Sequence, residues 1–237
     1  MTNGERLLEE EVGSGIKRFT LNRPDRLNAL DRRLLERIAS AIRDAEDADV
    51  VIFQGAGEAF TSGADLDEAQ EDGEDAELFQ DLTRATQRFD GLVIGALHGW
   101  VIGGGFEWTL SFDLRYAAAD TTFKMTESEV GLPISNASTL LLPLVVGRGR
   151  AQEMVFTSRE VSASEAEEWG LVNGVYERDE LERAVLTVAE DIVDNKSSRA
   201  IRANKRGLNA SFPVEEVLDY ESLLGSLIDV GDEGIDW

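Results

Sequence analysis

The spacing of apolar residues changes repeatedly along this chain, and each change predicts an element. Residues 6–12 and 15–21 alternate loosely between apolar and polar, with Gly13-Ser14-Gly15 between them, the pattern of two strands joined by a tight turn. Residues 32–46 switch to helical spacing. Leu34, Leu35, Ile38, Ile42 and Ala45 share one face, and Asp31 stands where an N-cap belongs. DVVIFQ, residues 49–54, is an almost unbroken apolar run, as expected of a parallel strand buried on both faces. Residues 67–77 are acidic and loop-like, with mobility expected; residues 77–90 return to helical spacing through Leu78, Phe79, Leu82, Ala85 and Phe89. Leu92–Leu97 and 113–118 read as further strands. Ser135 is placed to cap a helix over 136–146. Helices are predicted at 148–157 and 162–169, the second with Ser162 or Ser164 at capping distance from a later acid and with Gly170 as its stop. LVNGVY, 171–176, reads as a short strand, 179–228 as three helices, and 232–237 as a short tail. Strands alternating with helices define an α/β protein. No linker, repeat or low-complexity stretch divides it, so the expected organisation is one α/β core over 1–195 and a helical C-terminal region over 196–237.

Composition narrows the chemistry. The 237 residues, 42% of them hydrophobic, can build one large domain. No run of 18 apolar residues is present, so no transmembrane helix is predicted. The acidic start MTNGERLLEEEV lacks an apolar signal-peptide region, which makes a cytoplasmic location the expectation. Cysteine is absent and His98 is the single histidine, so thiolate and histidine-based metal sites, cysteine nucleophiles and a serine–histidine triad lack material, and neither a metal nor a separate cofactor is expected. The net charge of -24 argues against a nucleic-acid partner, whose phosphates need a basic footprint. Acids are spread over the whole chain, and the bases other than Lys17, Lys124, Lys196 and Lys205 are arginine. That balance is similar to halophilic cytoplasmic proteins, whose acidic surfaces stay hydrated in concentrated salt.

One stretch gathers the candidate chemistry. After the apolar run ending at Leu97 come Gly103, Gly104 and Gly105, then Glu107 and a mostly apolar helical segment. Glycines let a ligand approach the main chain closely. The first N–H groups of a helix starting there have no intrahelical partner and suit an anion or a developing oxyanion. A carboxylate just inside is placed for proton transfer. A second glycine-bearing loop lies at Gly63-Ala64-Asp65, and FKMTESEVG, 123–131, carries the carboxylate pair Glu127 and Glu129.

Five blocks together resemble the crotonase family, that is, enoyl-CoA hydratases and isomerases. They are NRPDRLNALD (22–31), GEAFTSGADL (57–66), HGWVIGGGFEWTLSFDLRYAAADTTF (98–123), ESEVGLP (127–133) and AQEMVFTSREVSASEAEEWGLVNGVY (151–176), in the family's order and spacing. The resemblance covers roughly residues 15–210. It implies a spiral of ββα turns, assembly as a homotrimer or homohexamer through the C-terminal region, and acyl-CoA thioesters as substrates, CoA being part of the substrate and not a separate cofactor. It places an oxyanion hole at the N–H groups of Ala64 and Gly104. It matches Glu107 and Glu127 to the two glutamates that flank the double bond in hydratases, with Glu129 the alternative to Glu127. It matches the loops holding Arg26, Leu27, Asp65 and Leu66, with Ala64 and Gly104, to the CoA-binding segments.

Three departures stand beside these matches. After Gly131 the family's glycine-rich turn is replaced by LPISNASTLLL, which puts acyl specificity in question. After SGAD the chain reads LDEAQED, without the family's frequent lysine or bulky apolar residue. The C-terminus is shorter than usual. The first expectation is a 2-enoyl-CoA hydratase. An isomerase using Glu127 alone and a non-catalytic acyl-CoA binder are the alternatives, and a dinucleotide-binding domain is disfavoured because the GxGxxG fingerprint is missing. His98 is expected to support the strand-to-loop junction, and Trp108 to pack in the core or at a subunit interface.

Overall fold

The computed structural model describes residues 5–67 and 74–227. Its strands in chain order are β1 (Leu7–Gly13), β2 (Ile16–Leu21), β3 (Val50–Gly55), β4 (Leu92–Leu97), β5 (Trp100–Ile102), β6 (Leu114–Ala118), β7 (Thr122–Lys124), β8 (Val161–Ser162) and β9 (Gly174–Tyr176). The helices are α1 (Arg32–Asp44), α2 (Glu74–Arg88), α3 (Gly103–Thr109), α4 (Ser138–Val146), α5 (Arg148–Thr157), α6 (Ala163–Glu168), α7 (Leu181–Asn195), α8 (Ser198–Asn209) and α9 (Val214–Leu227).

Two sheets result. The larger has the order β1-β2-β3-β4-β6-β9, in which only the β1–β2 hairpin is antiparallel. The smaller has the order β5-β7-β8. The apolar runs of β3 and β4 become the buried strands that their patterns predict. Asp31 caps α1 by accepting from the Leu34 N–H at 2.8 Å, and Ser162 and Glu165 form a capping box at α6. In the hydrophobic core Trp108 is fully buried, edge-on to Phe53 at 4.9 Å and to Phe112 at 4.8 Å, and its indole N–H donates to Thr86 Oγ1 at 2.9 Å. This places Trp108 in the core, on the helix that leaves the glycine run.

The helices after α7 dock on the chain's own core. Lys205 of α8 is buried and donates to the Asp113 carboxylate and the Gly91 carbonyl, both at 2.8 Å. Arg202 and Arg206 flank it with ion pairs to Asp49 and Asp90. Glu215 of α9 pairs with Arg84 and Arg88 of α2.

Three expectations change, and the small sheet is an addition to them. Helix α2 starts at Glu74, inside the stretch predicted as loop; residues 68–73 of that stretch, and the predicted tail, lie outside the described residues. The strand predicted over 171–176 shortens to β9, because the Leu171 and Val172 N–H groups bond the Ala166 carbonyl and close the end of α6. The small sheet has strands of two or three residues, too short to show a period. Ser135 does not cap α4; Ala137 occupies the N-cap, and Ser135 turns elsewhere. Among the described residues no helix is long and apolar enough to cross a membrane.

Candidate functional site

The backbone of the site is assembled by two short parallel contacts. Thr61 pairs with Val101 and Leu30 with Ala64. The first is fastened by the Thr61 N–H donating to the Trp100 carbonyl at 3.0 Å and the Ile102 N–H donating to the Thr61 carbonyl at 3.2 Å. It lays residues 61–64 along the start of α3. Glycine is required for this approach. A Cβ at Gly105 would lie 2.3 Å from Thr61 Cγ2, and one at Gly63, where φ is 90°, would lie 3.0 Å from the Ile102 carbonyl oxygen.

The Leu30–Ala64 bridge is carried by the Leu30 N–H donating to the Gly63 carbonyl at 2.8 Å and the Asp65 N–H donating to the Leu30 carbonyl at 3.1 Å. Those bonds use the residues either side of Ala64, so the Ala64 N–H points away from the ladder. Gly104 is the second residue of α3, where an N–H has no carbonyl four residues back within the helix. The loop and the start of α3 thus meet at one junction, with Phe79 of α2 packed against Gly104.

Glu107 lies one helical turn into α3 and is 1% exposed. Its Oε1 accepts from the Ser135 N–H at 2.6 Å; its Oε2 accepts from Ser135 Oγ at 2.7 Å and Asn136 Nδ2 at 3.2 Å. Glu127 sits in a single turn of 3₁₀ helix, Glu127–Glu129, and is 8% exposed. A Cβ on Gly103 would come within 3.3 Å of Glu127 Oε1, so this carboxyl rests on the glycine backbone. Its Oε2 is buried and accepts no hydrogen bond from the described residues.

Burial dominates the protonation of both acids, because the charged form loses its hydration. It pushes the Glu127 carboxyl up to about 7. It holds the Glu107 carboxyl well above the ordinary range, with the negative charges of Glu127 and Glu221 acting in the same direction and the Ser135 donors opposing them. Two buried carboxyls within each other's field can retain one proton between them near neutrality and pass protons to and from a bound molecule. Glu129, in contrast, is exposed and ion-paired with Lys124 at 2.9 Å. Of the two carboxylates that the sequence offers there, Glu127 faces Gly103.

The donors to Glu107 were not foreseen. Ser135-Asn136-Ala137 lies within the stretch that departs from the family's glycine-rich turn. Asn136 and Ala137 have φ of 59° and 60°, left-handed values that cost a non-glycine residue roughly 1–2 kcal/mol each. The conformation turns Ser135 toward Glu107 and sets Asn136 between Glu107 and Thr83, whose hydroxyl donates to Asn136 Oδ1 at 3.1 Å. Hydroxyl and amide side chains after Gly131 were the only available signal.

The residues matched to CoA-binding segments form an ion-pair network. Arg23 bridges Asp65 at 2.9 Å and Asp31 at 3.1 Å; Arg26 bridges Asp65 at 3.1 Å and Asp67 at 2.6 Å. Against the burial that pushes it up, the two guanidiniums hold the Asp65 carboxyl below its ordinary value. Arg26 therefore ties the 22–31 loop to the 57–66 loop, beside Ala64. Leu27, with φ 49°, and Leu66 are exposed. His98 is buried, and its carbonyl accepts the Phe60 N–H at 2.8 Å, which supports the junction between β4 and β5. No group of His, Asp and Glu arranged to hold a metal occurs among the described residues.

The chain is similar in sequence and fold to known proteins. The enoyl-CoA hydratase/isomerase family profile matches residues 11–222. The chain is 33% identical to a short-chain-enoyl-CoA hydratase of Clostridium acetobutylicum, over 91% of this chain and 86% of that protein. It is 35% identical to a mitochondrial Delta(3,5)-Delta(2,4)-dienoyl-CoA isomerase of Rattus norvegicus, over 84% of this chain and 68% of that protein. Among solved structures, an enoyl-CoA hydratase/isomerase from Pseudoalteromonas atlantica superposes with a TM-score of 0.88 at 28% identity, covering 97% of this chain and 93% of that one.

Proposed function

The chain belongs to the enoyl-CoA hydratase/isomerase family, and on that premise we propose that it adds water across the double bond of a 2-enoyl-CoA thioester. The observation that carries the proposal is the pair of buried carboxyls at the glycine run, Glu107 within α3 and Glu127 against Gly103. In this reading the Ala64 and Gly104 N–H groups receive the thioester oxygen. As water attacks Cβ, electrons move through the conjugated system and negative charge collects on that oxygen. Loss of one such donor typically costs about 3–4 kcal/mol of transition-state stabilisation. The ionised member of the pair takes a proton from the attacking water, and the protonated member delivers one to Cα. Oxygen, hydrogen and charge then balance to a 3-hydroxyacyl-CoA, and proton exchange between the carboxyls resets the pair. Arg26, Leu27, Asp65 and Leu66 line the side from which CoA enters.

A second reading has its own observation. Both oxygens of Glu107 already accept hydrogen bonds, whereas Glu127 Oε2 accepts none from the described residues. One free carboxylate can remove a proton from an enoyl-CoA and return it elsewhere, which is double-bond isomerisation. The isomerase similarity at 35% identity supports keeping this reading.

The two separate in one experiment. In molar KCl, crotonyl-CoA should lose its conjugated absorbance with the native chain, and both Glu107→Gln and Glu127→Gln should abolish that loss. Turnover of a 3-enoyl-CoA that survives Glu107→Gln but not Glu127→Gln would establish the isomerase instead. Tight acyl-CoA binding with no turnover of either substrate would leave a binder. The proposal extends to a cytoplasmic homotrimer or homohexamer, for which the exposed apolar residues Leu208, Phe212, Tyr220 and Leu223 on and around α8 and α9 are suitable contact groups.

A further inference from the structure

Helix α9 carries a buried carboxylate that the hydration chemistry does not use. Glu221 is 3% exposed and faces the start of α4. Its Oε2 accepts from the Ala137 N–H at 2.7 Å, and its Oε1 accepts from the Thr139 N–H at 3.0 Å and from Thr139 Oγ1 at 2.5 Å. A carboxylate is costly to bury unless donors replace its water, and one helix start supplies all three donors. Helix α4 needs such a partner, because Ala137 at its N-cap has no side-chain oxygen to offer. Glu221 thus performs, from a remote part of the chain, the capping normally done by a local Ser or Asp.

The segment gripped by Glu221 also holds Glu107. Ser135 and Asn136 donate to Glu107, the Ser138 N–H donates to the Ser135 carbonyl at 2.8 Å, and the Ala137 N–H bonds Glu221. Asn136 and Ala137 are both left-handed, a conformation that persists in non-glycine residues where the surroundings over-determine it. We propose that Glu221 is a positioning residue for Glu107: by holding Ala137 and Thr139 it fixes the left-handed turn that aims Ser135 and Asn136 at the Glu107 carboxyl. This rests on the reading of Glu107 as a working carboxyl of the hydratase. Glu221 also helps to anchor α9, but Glu215 serves that purpose through Arg84 and Arg88 and bonds none of residues 135–139 among the described contacts. Glu215 therefore provides the control.

The test compares Glu221→Gln, Thr139→Val and Glu215→Gln with the native chain. Gln at position 221 keeps the shape but turns an amide donor toward a backbone N–H. With crotonyl-CoA, kcat should fall roughly tenfold or more in Glu221→Gln, the scale of a small misplacement of a catalytic group, with KM little changed. Thr139→Val should show a smaller fall and Glu215→Gln none. The Ser135 amide proton, moved downfield by its 2.6 Å bond to Glu107, should shift upfield in Glu221→Gln and stay in place in Glu215→Gln. That resonance does not depend on turnover. If the native chain hydrates no enoyl-CoA while the Ser135 signal moves both in Glu221→Gln and in Thr139→Val, which removes no charge, the hydratase reading fails and the positioning of Glu107 stands. A folded Glu221→Gln with native kcat or an unmoved Ser135 signal overturns the proposal, as does an equal loss in Glu215→Gln. Should Glu221→Gln not fold, Thr139→Val decides by the same two readouts, and native values in it overturn the proposal.

Discussion

Replacing Glu127 by Gln should stabilise the folded chain at alkaline pH. The unfolded chain releases the Glu127 proton near the ordinary value of 4.5, whereas burial delays release in the folded chain to about 7. Between these values the folded state binds more protons, so stability is full below 4.5 and declines as pH rises through 7. At about 1.4 kcal/mol per pH unit of separation, the loss saturates near 3.5 kcal/mol. Gln imitates the protonated acid at every pH and escapes the loss. Relief of Glu107 from the neighbouring charge acts in the same direction. The buried Gln amide carries its own desolvation penalty, but that penalty is the same at all pH values. The quantity to measure is therefore the slope: the stability of Glu127→Gln minus that of the native chain should rise by roughly 2–3 kcal/mol between pH 5 and pH 8. Urea unfolding followed by tryptophan fluorescence suits the measurement, since Trp108 is fully buried, with protein concentration fixed because an oligomer would add a mass-action term. A difference that stays constant across this range, or falls, would refute the assignment of burial as the cause.

Two further outcomes follow from the charges. Asp65→Asn removes the shared partner of Arg23 and Arg26 beside Ala64 and should cost roughly 3 kcal/mol of stability, as for other broken buried pairs; a change below about 0.5 kcal/mol in urea unfolding at neutral pH would place the pair among weak surface bridges. At a net charge of -24 the folded chain repels itself, so the thermal midpoint should climb as KCl rises to molar levels, where the Debye length contracts to about 3 Å. A midpoint insensitive to KCl in differential scanning fluorimetry would contradict that.

The parts of the fold that sequence made legible were those with long, consistent patterns. Helix α1 has five apolar residues on one face and a capping Asp31, and it forms within two residues of its expected end. Strands β3 and β4 are apolar runs buried on both sides and could hardly be anything else. The small sheet was illegible because β5, β7 and β8 hold three residues or fewer. The approach of Thr61 to β5 needs Gly105 to admit the Thr61 methyl, a tertiary fact with no local signature. The start of α2 was obscured by acids that read as loop until an ordered helix is built on them.

The site was legible to a different degree at each residue. The family resemblance pointed to Glu107 and Glu127, and the fold brings both to the glycine run. The groups that set the state of Glu107 were not readable, and the reason is physical. Ser135, judged locally, is a good helix cap, because its hydroxyl can accept from a nearby N–H. It loses that position because Glu221, 84 residues beyond Ala137, takes the Ala137 N–H and so caps α4 instead. Freed from capping, the Ser135 hydroxyl donates to Glu107. A local preference has been exchanged for a buried network in which one carboxylate holds the backbone that hydrogen-bonds another. Such a network raises the value of every bond in it, since an unpaired polar group at that depth would be costly. The Ser-Asn-Ala turn after Gly131, which departs from the family's glycine-rich turn, is thus bound to α9, far along the chain.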